Sequence, residues 1–375
     1  MKKIASVLLV LALVLGVVAC GGAPEPAAPA PAPAPAEPAP APAEPAPAPA
    51  EPAPAPEPAP GEPWTGSEND PSVTLTYAEV NPIDSLMGST AAEFKRVVEE
   101  LTGGTVSITI HDSGVLGSEP DVLDSMLGGV GTVDLSRISA FSLTQYGAER
   151  STLLSVPFTW EGRTHFWNFA HSDLAQEFLV EPSDIGLGVR GLFYLEEGFR
   201  SFFTNVEIGE MADLSGLKLR VPPDPVMSGM TEAVGAIATV LSFGELYQGL
   251  ATGVVDGAEQ PIVNYIANSF HEVAPYMILN QHTLGAAQVI MTDDAWDKLT
   301  ERQQAAVMEA GRQASAFNRS MSEQFEKDAI AQGEAEGVTF IPVTNVQEWR
   351  DAAAEVIATA IAGQEALYQT LLAMS

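Results

Sequence analysis

Hydrophobic and polar positions after residue 72 repeat in two alternating patterns. Val73–Ala78 alternates as a half-buried strand does, and Val106–Ile110 is a second segment of strand character. Between them, Ala91–Leu101 carries its apolar residues on one side, which predicts an amphipathic helix. Because strands alternate with helices, the pattern predicts an α/β fold whose first sheet is mostly parallel and covered on both faces.

The middle of the chain continues the alternation. A polar turn leads into a short apolar strand that ends at Arg220, and two helices are predicted, roughly at Val226–Val234 and Gly244–Thr252. The next short strand ends at Pro261, because proline cannot continue a central ladder. In open α/β sheets, ligands bind beyond the carboxyl ends of the strands, so residues at these ends become candidates.

The last third returns with further strands and helices. Gly285–Met291 is predicted to be a strand that recrosses to the first part of the molecule, and Val338–Pro342 to be a final strand. Residues 293–316 are predicted to be helical, with a long helix following through Ala331 and more helix from Asn345 to Met374. A strand at Val189–Tyr194 precedes the region around Arg200.

Two arginines next to apolar strands are the first candidates for a binding site. Arg200 follows an apolar strand, and Arg220 ends another. A guanidinium offers a rigid fork that matches a carboxylate in two parallel hydrogen bonds. A structural ion pair is the competing interpretation for each of them. A buried guanidinium must be satisfied either by a ligand or by a neighbouring acid.

Three further places at strand ends are candidates. Gln260, before Pro261, is able to donate and accept hydrogen bonds, and an ordinary turn residue is the equal alternative. Asn81 after the first strand and the Ser136-Arg137 turn after the third also stand at strand ends. A turn-forming Asn and a solvated Arg explain them at least as well. The Gly-rich stretch at 128–131 lacks the Lys-Ser/Thr of a phosphate loop and is predicted to be a turn.

The N-terminus predicts export and a lipid anchor. Residues 1–19 combine two lysines, a short apolar run and a small residue, as a signal peptide does. Val17-Val18-Ala19-Cys20 resembles a bacterial lipobox, which predicts lipidation of Cys20; a secreted protein with a free thiol is the alternative. Residues 20–70 are an Ala/Pro/Glu-rich tether, which favours extended polyproline II and cannot bury a core.

Composition excludes several function classes. With 17 basic against 49 acidic residues, nucleic-acid binding is not expected, because phosphate contacts need clustered Lys and Arg. The five histidines show no metal-ligand spacing, so neither a metal nor another cofactor is expected. No nucleophile elbow and no grouping of a nucleophile with its base occurs, which argues against an enzyme.

Several separated motifs carry a family resemblance. Asp213-Leu-Ser-Gly-Leu-Lys-Leu-Arg-Val-Pro, Phe243-Gly-Glu-Leu-Tyr-Gln-Gly-Leu and Gly253-Val-Val-Asp-Gly-Ala-Glu-Gln-Pro resemble the solute-binding subunits of TRAP (tripartite ATP-independent periplasmic) transporters, the DctP family. Thr102-Gly-Gly, Leu116-Gly-Ser-Glu and Val156-Pro-Phe fit the same pattern. The likeness runs from about Val73 to the C-terminal helices.

The resemblance implies a fold and a set of domains. The fold would be two-lobed and periplasmic-binding-protein-like, of the type II-like Venus flytrap kind, with mixed central sheets and a long bridging helix. Residues 71–198 and 286–325 would form lobe I, and residues 199–285 and 326–375 would form lobe II. Ligand binding between the lobes would favour the closed state.

The resemblance also assigns roles to residues. Arg220 would clamp a carboxylate, Arg200 would be a second ligand-contacting arginine, and Phe243 would pack on the ligand. Gln260 falls where the family commonly has Asn, and its longer side chain puts a four-carbon dicarboxylate in doubt. Asn81 carries over only weakly.

The function implied is capture of a small organic acid outside the cytoplasm. The chain would act as a monomer, in the periplasm or at the cell surface, held to the membrane by its lipid and delivering its ligand to small and large TRAP permease subunits. A ligand-sensing ectodomain of a signalling system is the alternative, and a hydrolytic enzyme is a more distant one.

Overall fold

The computed structural model describes residues 70–375, so the predicted signal peptide, Cys20 and nearly all of the tether lie outside the described residues. Strands and helices alternate through the described part, as the sequence pattern predicts. The strands are β1 Val73–Ala78, β2 Val106–His111, β3 Leu135–Ser139, β4 Val189–Thr204, β5 Lys218–Val221, β6 Ile237–Val240, β7 Gly257–Pro261, β8 Tyr276–Thr292 and β9 Thr339–Pro342.

Helices fill the connections between the strands. They are α1 Leu86–Leu101, α2 Glu119–Leu127, α3 Arg163–Ala170, α4 Asp173–Asp184, α5 Pro225–Ala233, α6 Leu246–Ala251, α7 Ile262–Ala267, α8 Asp293–Trp296, α9 Glu301–Ala335, α10 Val346–Ala352, α11 Ala354–Ala360 and α12 Glu365–Leu372. Among residues 70–375, no helix combines the length and the apolar character that a membrane span requires.

Two long strands connect two groups of shorter ones. The strands are ordered β2-β1-β3-β8-β4-β7-β5-β6, and β9 pairs with β8. The group β2-β1-β3 is internally parallel, as is β7-β5-β6, whereas β4 and β8 run antiparallel to each other and to β7 and β3. The sheet is therefore mixed, as expected for the two-lobed α/β fold, and both lobes share the β4–β8 ladder.

The β4–β8 ladder is longer than the sequence predicted. β4 continues ten residues beyond Tyr194, to Thr204, and β8 begins at Tyr276 rather than at Gly285. The apolar pattern fades there because buried Glu196, Glu197 and Arg200 occupy strand positions. Gly198 (φ +89°) adopts a left-handed conformation where the β4–β8 register shifts, between Glu196 and Phe199.

The long helix predicted from the family resemblance is α9. It forms one continuous helix of 35 residues, instead of two successive segments, and starts at Glu301 because Thr300 and Gln303 form a capping box. Near its middle, Asn318 contacts Thr90 of α1 at 3.3 Å and accepts from the backbone N–H of Glu196 at 2.9 Å. Towards its end, Gly333 lies against Ile266 of α7 and Phe340 of β9. The helix thus packs on elements of both strand groups.

At Gly311, α9 packs closely against the sheet. A Cβ atom at this position would lie 2.7 Å from Cδ1 of Phe193, whose buried ring belongs to β4 and packs on Phe94 of α1. The absence of a side chain therefore lets the helix settle on the ladder. Glycine inside a helix usually costs stability, so packing explains its presence here.

We expect Gly311→Val to lower the free energy of unfolding by about 1–3 kcal/mol, because the added side chain overpacks the contact with Phe193. Urea unfolding followed by circular dichroism measures the change. Ala305→Val, at an exposed position of the same helix, is the control and should shift stability by less than about 0.5 kcal/mol. Equal stabilities for the two variants would contradict the close contact.

Candidate functional site

A cleft that is partly open to solvent lies where the two strand groups face each other. Its walls come from the carboxyl ends of β3, β5 and β7, from β4, and from the first turn of α2. The residues that line it include several charged and amide side chains: Glu119, Arg137, Glu197, Arg200, Arg220, Gln260 and Asn264. The position agrees with the general rule for ligand sites in open α/β sheets.

Arg220 reaches the cleft from the end of β5, which is flanked by β6 and β7. Its side chain is only 3% exposed, and its Nε donates to the carbonyl oxygen of Leu241 at 2.9 Å. No carboxylate of residues 70–375 comes within 4.0 Å of its guanidinium. Burial lowers the pKa of Arg220 to about 10, so the side chain remains protonated at neutral pH. A buried positive charge therefore faces the cleft without an acid of its own.

Arg200 has an acid of its own. From β4 it reaches across to Glu259 of β7, donating from Nη2 to Oε1 at 2.8 Å and to the backbone oxygen at 3.1 Å, while Nε bonds the other carboxylate oxygen. Both side chains are buried. Burial by itself would raise the pKa of Glu259, but Arg200 and the neighbouring His282 bring it down to about 2. Most N–H donors of Arg200 are therefore used by its ion pair with Glu259, as the ion-pair interpretation expects, although the residue also lines the cleft.

Phe243 and Gln260 also line the cleft. Phe243 opens a short 3-10 turn; its ring meets Phe270 edge-on at 5.5 Å and lies 6.0 Å from the guanidinium carbon of Arg220. Gln260 lies in β7 opposite Ser201 of β4, and its side-chain amide makes no hydrogen bond within the described part of the chain. An aromatic face and a free amide therefore accompany Arg220.

Asn81 does not line this cleft. It is fully buried, donates from its side chain to Glu79 at 2.9 Å, and accepts from Asn268 at 3.2 Å. Its backbone N–H also donates to Glu79 at 2.9 Å. The structure thus places Asn81 in a turn that holds Glu79, which is the plainer of its two interpretations.

Arg137 stands inside β3 rather than in a turn, and three acids surround it. Its closest distances are 3.0 Å to Glu79, 3.3 Å to Glu197 and 3.4 Å to Glu119. Burial opposes the charge on Arg137, but these carboxylates outweigh it and raise its pKa. Glu119 also accepts from the backbone N–H of Ser139 at 3.1 Å.

The sequence reasoning passed over the acids of the cleft. Glu197 is 3% exposed, and burial raises its pKa although Arg137 and Arg200 act in the other direction. Its Oε1 atom accepts no hydrogen bond from any described residue. The available signal was the Glu196-Glu197 pair next to an apolar strand, since buried acids in such a place are rarely accidental.

Contacts across the cleft hold its two sides together. Gln145 donates to the carbonyl oxygen of Pro223, and Asn268 donates to Asn81 at 3.2 Å. Phe141, which follows β3, packs in one apolar cluster with Val221 and Met227 from the other side. In the described conformation these contacts join the two sides of the cleft.

We expect Glu259→Gln to reduce the free energy of unfolding at pH 7 by about 3–5 kcal/mol, because it leaves Arg200 buried without its acid. The folded-state pKa of Glu259, about 2, lies below its ordinary value of 4.5. The ionised carboxylate therefore contributes stability above about pH 4.5 that is lost as the pH falls towards 2.

Urea unfolding of both proteins across this range should show their difference narrowing as the wild type is protonated. Glu348→Gln removes an exposed acid and serves as the control. A difference that stays constant from pH 7 to pH 2.5 would contradict the assignment.

Comparisons with known proteins agree with this geometry. The chain is 28% identical over 256 residues to a solute-binding protein of Roseobacter denitrificans, covering 68% of this chain and 76% of the relative. Over 267 residues it is 22% identical to the C4-dicarboxylate-binding periplasmic protein DctP of Rhodobacter capsulatus, covering 71% and 79%.

Solved structures of solute-binding proteins have a similar fold. A TRAP periplasmic solute-binding protein of Pseudomonas putida F1 with bound D-glucuronate superposes with a TM-score of 0.76 at 25% identity, covering 80% of this chain and 96% of the other. One from Bradyrhizobium in complex with D-galacturonate gives 0.75 at 28% identity, covering 80% and 98%.

The family model described as bacterial extracellular solute-binding protein, family 7 (DctP) matches residues 77–364. The strand order, the interlobe cleft and this match agree with one another. The chain therefore belongs to the DctP family of extracellular solute-binding proteins, which are transport components rather than enzymes.

Proposed function

We propose that the cleft binds a small organic acid and that Arg220 receives its carboxylate. The observation that carries this proposal is the buried guanidinium at the end of β5, which no carboxylate of residues 70–375 neutralises. Removing a charge from water is expensive, and an anionic ligand would supply the missing counter-charge. The proteins with bound D-glucuronate and D-galacturonate support an acid as the ligand.

The geometry of Arg220 suits this role. Its Nε atom already donates to Leu241, which fixes the orientation of the guanidinium plane. The two terminal nitrogens remain for a carboxylate, and a charge-assisted pair of N–H bonds is strong where the guanidinium is buried. Binding would therefore complete a fork that the fold has already oriented.

The other cleft residues receive supporting roles in the proposal. Phe243 would pack on the ligand, and Gln260 would exchange hydrogen bonds with its polar groups. Arg200 would act mainly through its Nη1 atom, because Glu259 occupies its remaining donors and offsets its charge. Asn81 has no role in ligand contact.

Lobe closure would couple binding to transport. We assign residues 71–198 and 286–325 to lobe I and residues 199–285 and 326–375 to lobe II. The contacts of Gln145 and Phe141 with the opposite wall would form as the lobes close. Ligand bridging both walls would shift the population towards this closed state. The closed form would then deliver its ligand to the small and large subunits of a TRAP permease.

We expect Arg220→Ala to abolish high-affinity binding of the acid while the protein stays folded. Losing one partner of a buried charge-assisted pair costs about 2–5 kcal/mol, so affinity should fall by at least about tenfold. The fold should survive, because no internal carboxylate depends on Arg220 among the described residues. Isothermal titration calorimetry with D-glucuronate and D-galacturonate measures the effect.

The matched control is Arg312→Ala. Arg312 is an exposed arginine on α9 that pairs with Glu309 of the same helix. This variant should bind like the wild type. Unchanged affinity of a folded Arg220→Ala protein would refute the clamp.

The predicted lipid anchor forms a separate part of the proposal. We expect the chain expressed in a bacterium to incorporate a palmitate analogue at Cys20 and to fractionate with membranes, because residues 17–20 resemble a lipobox, a motif that directs acylation of its cysteine. Cys20→Ser should lose both label and membrane association while its head domain still binds ligand. Labelling that persists in Cys20→Ser would contradict the anchor.

A further inference from the structure

We infer that the ligand is a polyhydroxylated monocarboxylate, an acid of the uronate or aldonate class, and that Glu197 excludes dicarboxylates. This inference rests on the proposed function, since it specifies which carboxylate the same cleft accepts. It follows from the charges of the side chains that line the cleft. It also follows from buried hydrogen-bond acceptors in the cleft that have no donor within the described part of the chain.

The charges of the cleft provide for one carboxylate. Of the three arginines that line it, Arg200 is neutralised by Glu259, and Arg137 lies within 3.4 Å of three acids. Arg220 has no acid partner in residues 70–375. A monocarboxylate therefore satisfies the one uncompensated guanidinium, and a second carboxylate would find no guanidinium without a partner.

The first-lobe wall of the cleft is lined by acids. Glu119 from α2 and Glu197 from β4 both face the cleft and both contact Arg137. The far end of a dicarboxylate held by Arg220 would approach this wall. Arg137 is one cation shared among Glu79, Glu119 and Glu197, so a further carboxylate at this wall would be repelled.

The same wall offers acceptors that hydroxyl groups can fill. Oε1 of Glu197 is buried and accepts no hydrogen bond from the described residues, although Arg137 lies 3.3 Å away. Oδ1 of Asn264, on the opposite wall, is also buried and accepts no hydrogen bond from the described residues. A buried acceptor without a donor is costly, and a ligand hydroxyl removes that cost by donating. A site built to bond hydroxyls also discriminates against analogues that lack them.

The test compares four acids by isothermal titration calorimetry on the purified full chain. D-galacturonate and D-glucuronate present one carboxylate with several hydroxyls, succinate presents two carboxylates, and hexanoate presents one carboxylate without hydroxyls. We expect at least one of the hydroxylated acids to bind at least tenfold more tightly than succinate and than hexanoate.

Glu197→Gln tests the residue itself. It removes the charge and keeps the shape, while Arg137 retains Glu79 and Glu119 as partners. The preference for the hydroxylated acid over succinate should fall at least tenfold, chiefly through tighter succinate binding. Glu348→Gln, an exposed Glu-to-Gln change on α10, should keep the wild-type preference.

The outcomes separate this inference from the proposed function. Succinate binding as tightly as the hydroxylated acids would overturn the inference and leave carboxylate binding by Arg220 intact. A folded wild-type protein that binds none of the four acids would count against both. An unchanged preference in a folded Glu197→Gln protein would remove Glu197 from the argument. If that variant does not fold, the order of affinities in the wild type still decides the ligand class.

Discussion

Removing a guanidinium from water without giving it an internal carboxylate is the constraint on which the cleft depends. Arg220 ends β5, is 3% exposed, and bonds only the carbonyl oxygen of Leu241 among the described residues. Its neighbours show the contrast, because Arg200 and Arg137 are just as buried and are fully matched by acids. Of the three arginines buried in residues 70–375, the fold neutralises two, and the proposed function assigns the third to a ligand carboxylate.

The matched pairs give the cleft its walls. Glu259 on β7 holds Arg200 on β4, and Arg137 on β3 gathers Glu79, Glu119 and Glu197 from three different elements. Such pairs add little net stability, but breaking one leaves a buried charge without a partner. They therefore fix which side chains face the cleft. In the inferred ligand preference, these acids would provide selectivity, because an acidic wall accepts hydroxyls and repels a second anion.

The β4–β8 ladder joins the two strand groups within one sheet. Each strand runs through both strand groups, and their register shifts beside Gly198 and near Gly285. The two glycines let the backbones approach closely there, since a Cβ on Gly285 would lie 3.2 Å from both the backbone oxygen of Gly198 and Cβ of Glu197. Glu197 is thus fixed at the point where the two halves meet, next to both buried arginines that it contacts.

The sequence by itself determined the alternation of strands and helices, the bounds of β1, the end of β7, and the family motifs that single out Arg220, Phe243 and Gln260, because these are local patterns of period and spacing. Only the tertiary structure decided which arginine is free: Glu259 is 59 residues from Arg200, and Glu79 is 58 from Arg137. It also removed Asn81 from the cleft and brought Glu197 into it. The physical reason is that the free energy of a buried charge depends on its neighbours in space, and strand pairing between distant segments brings those neighbours together.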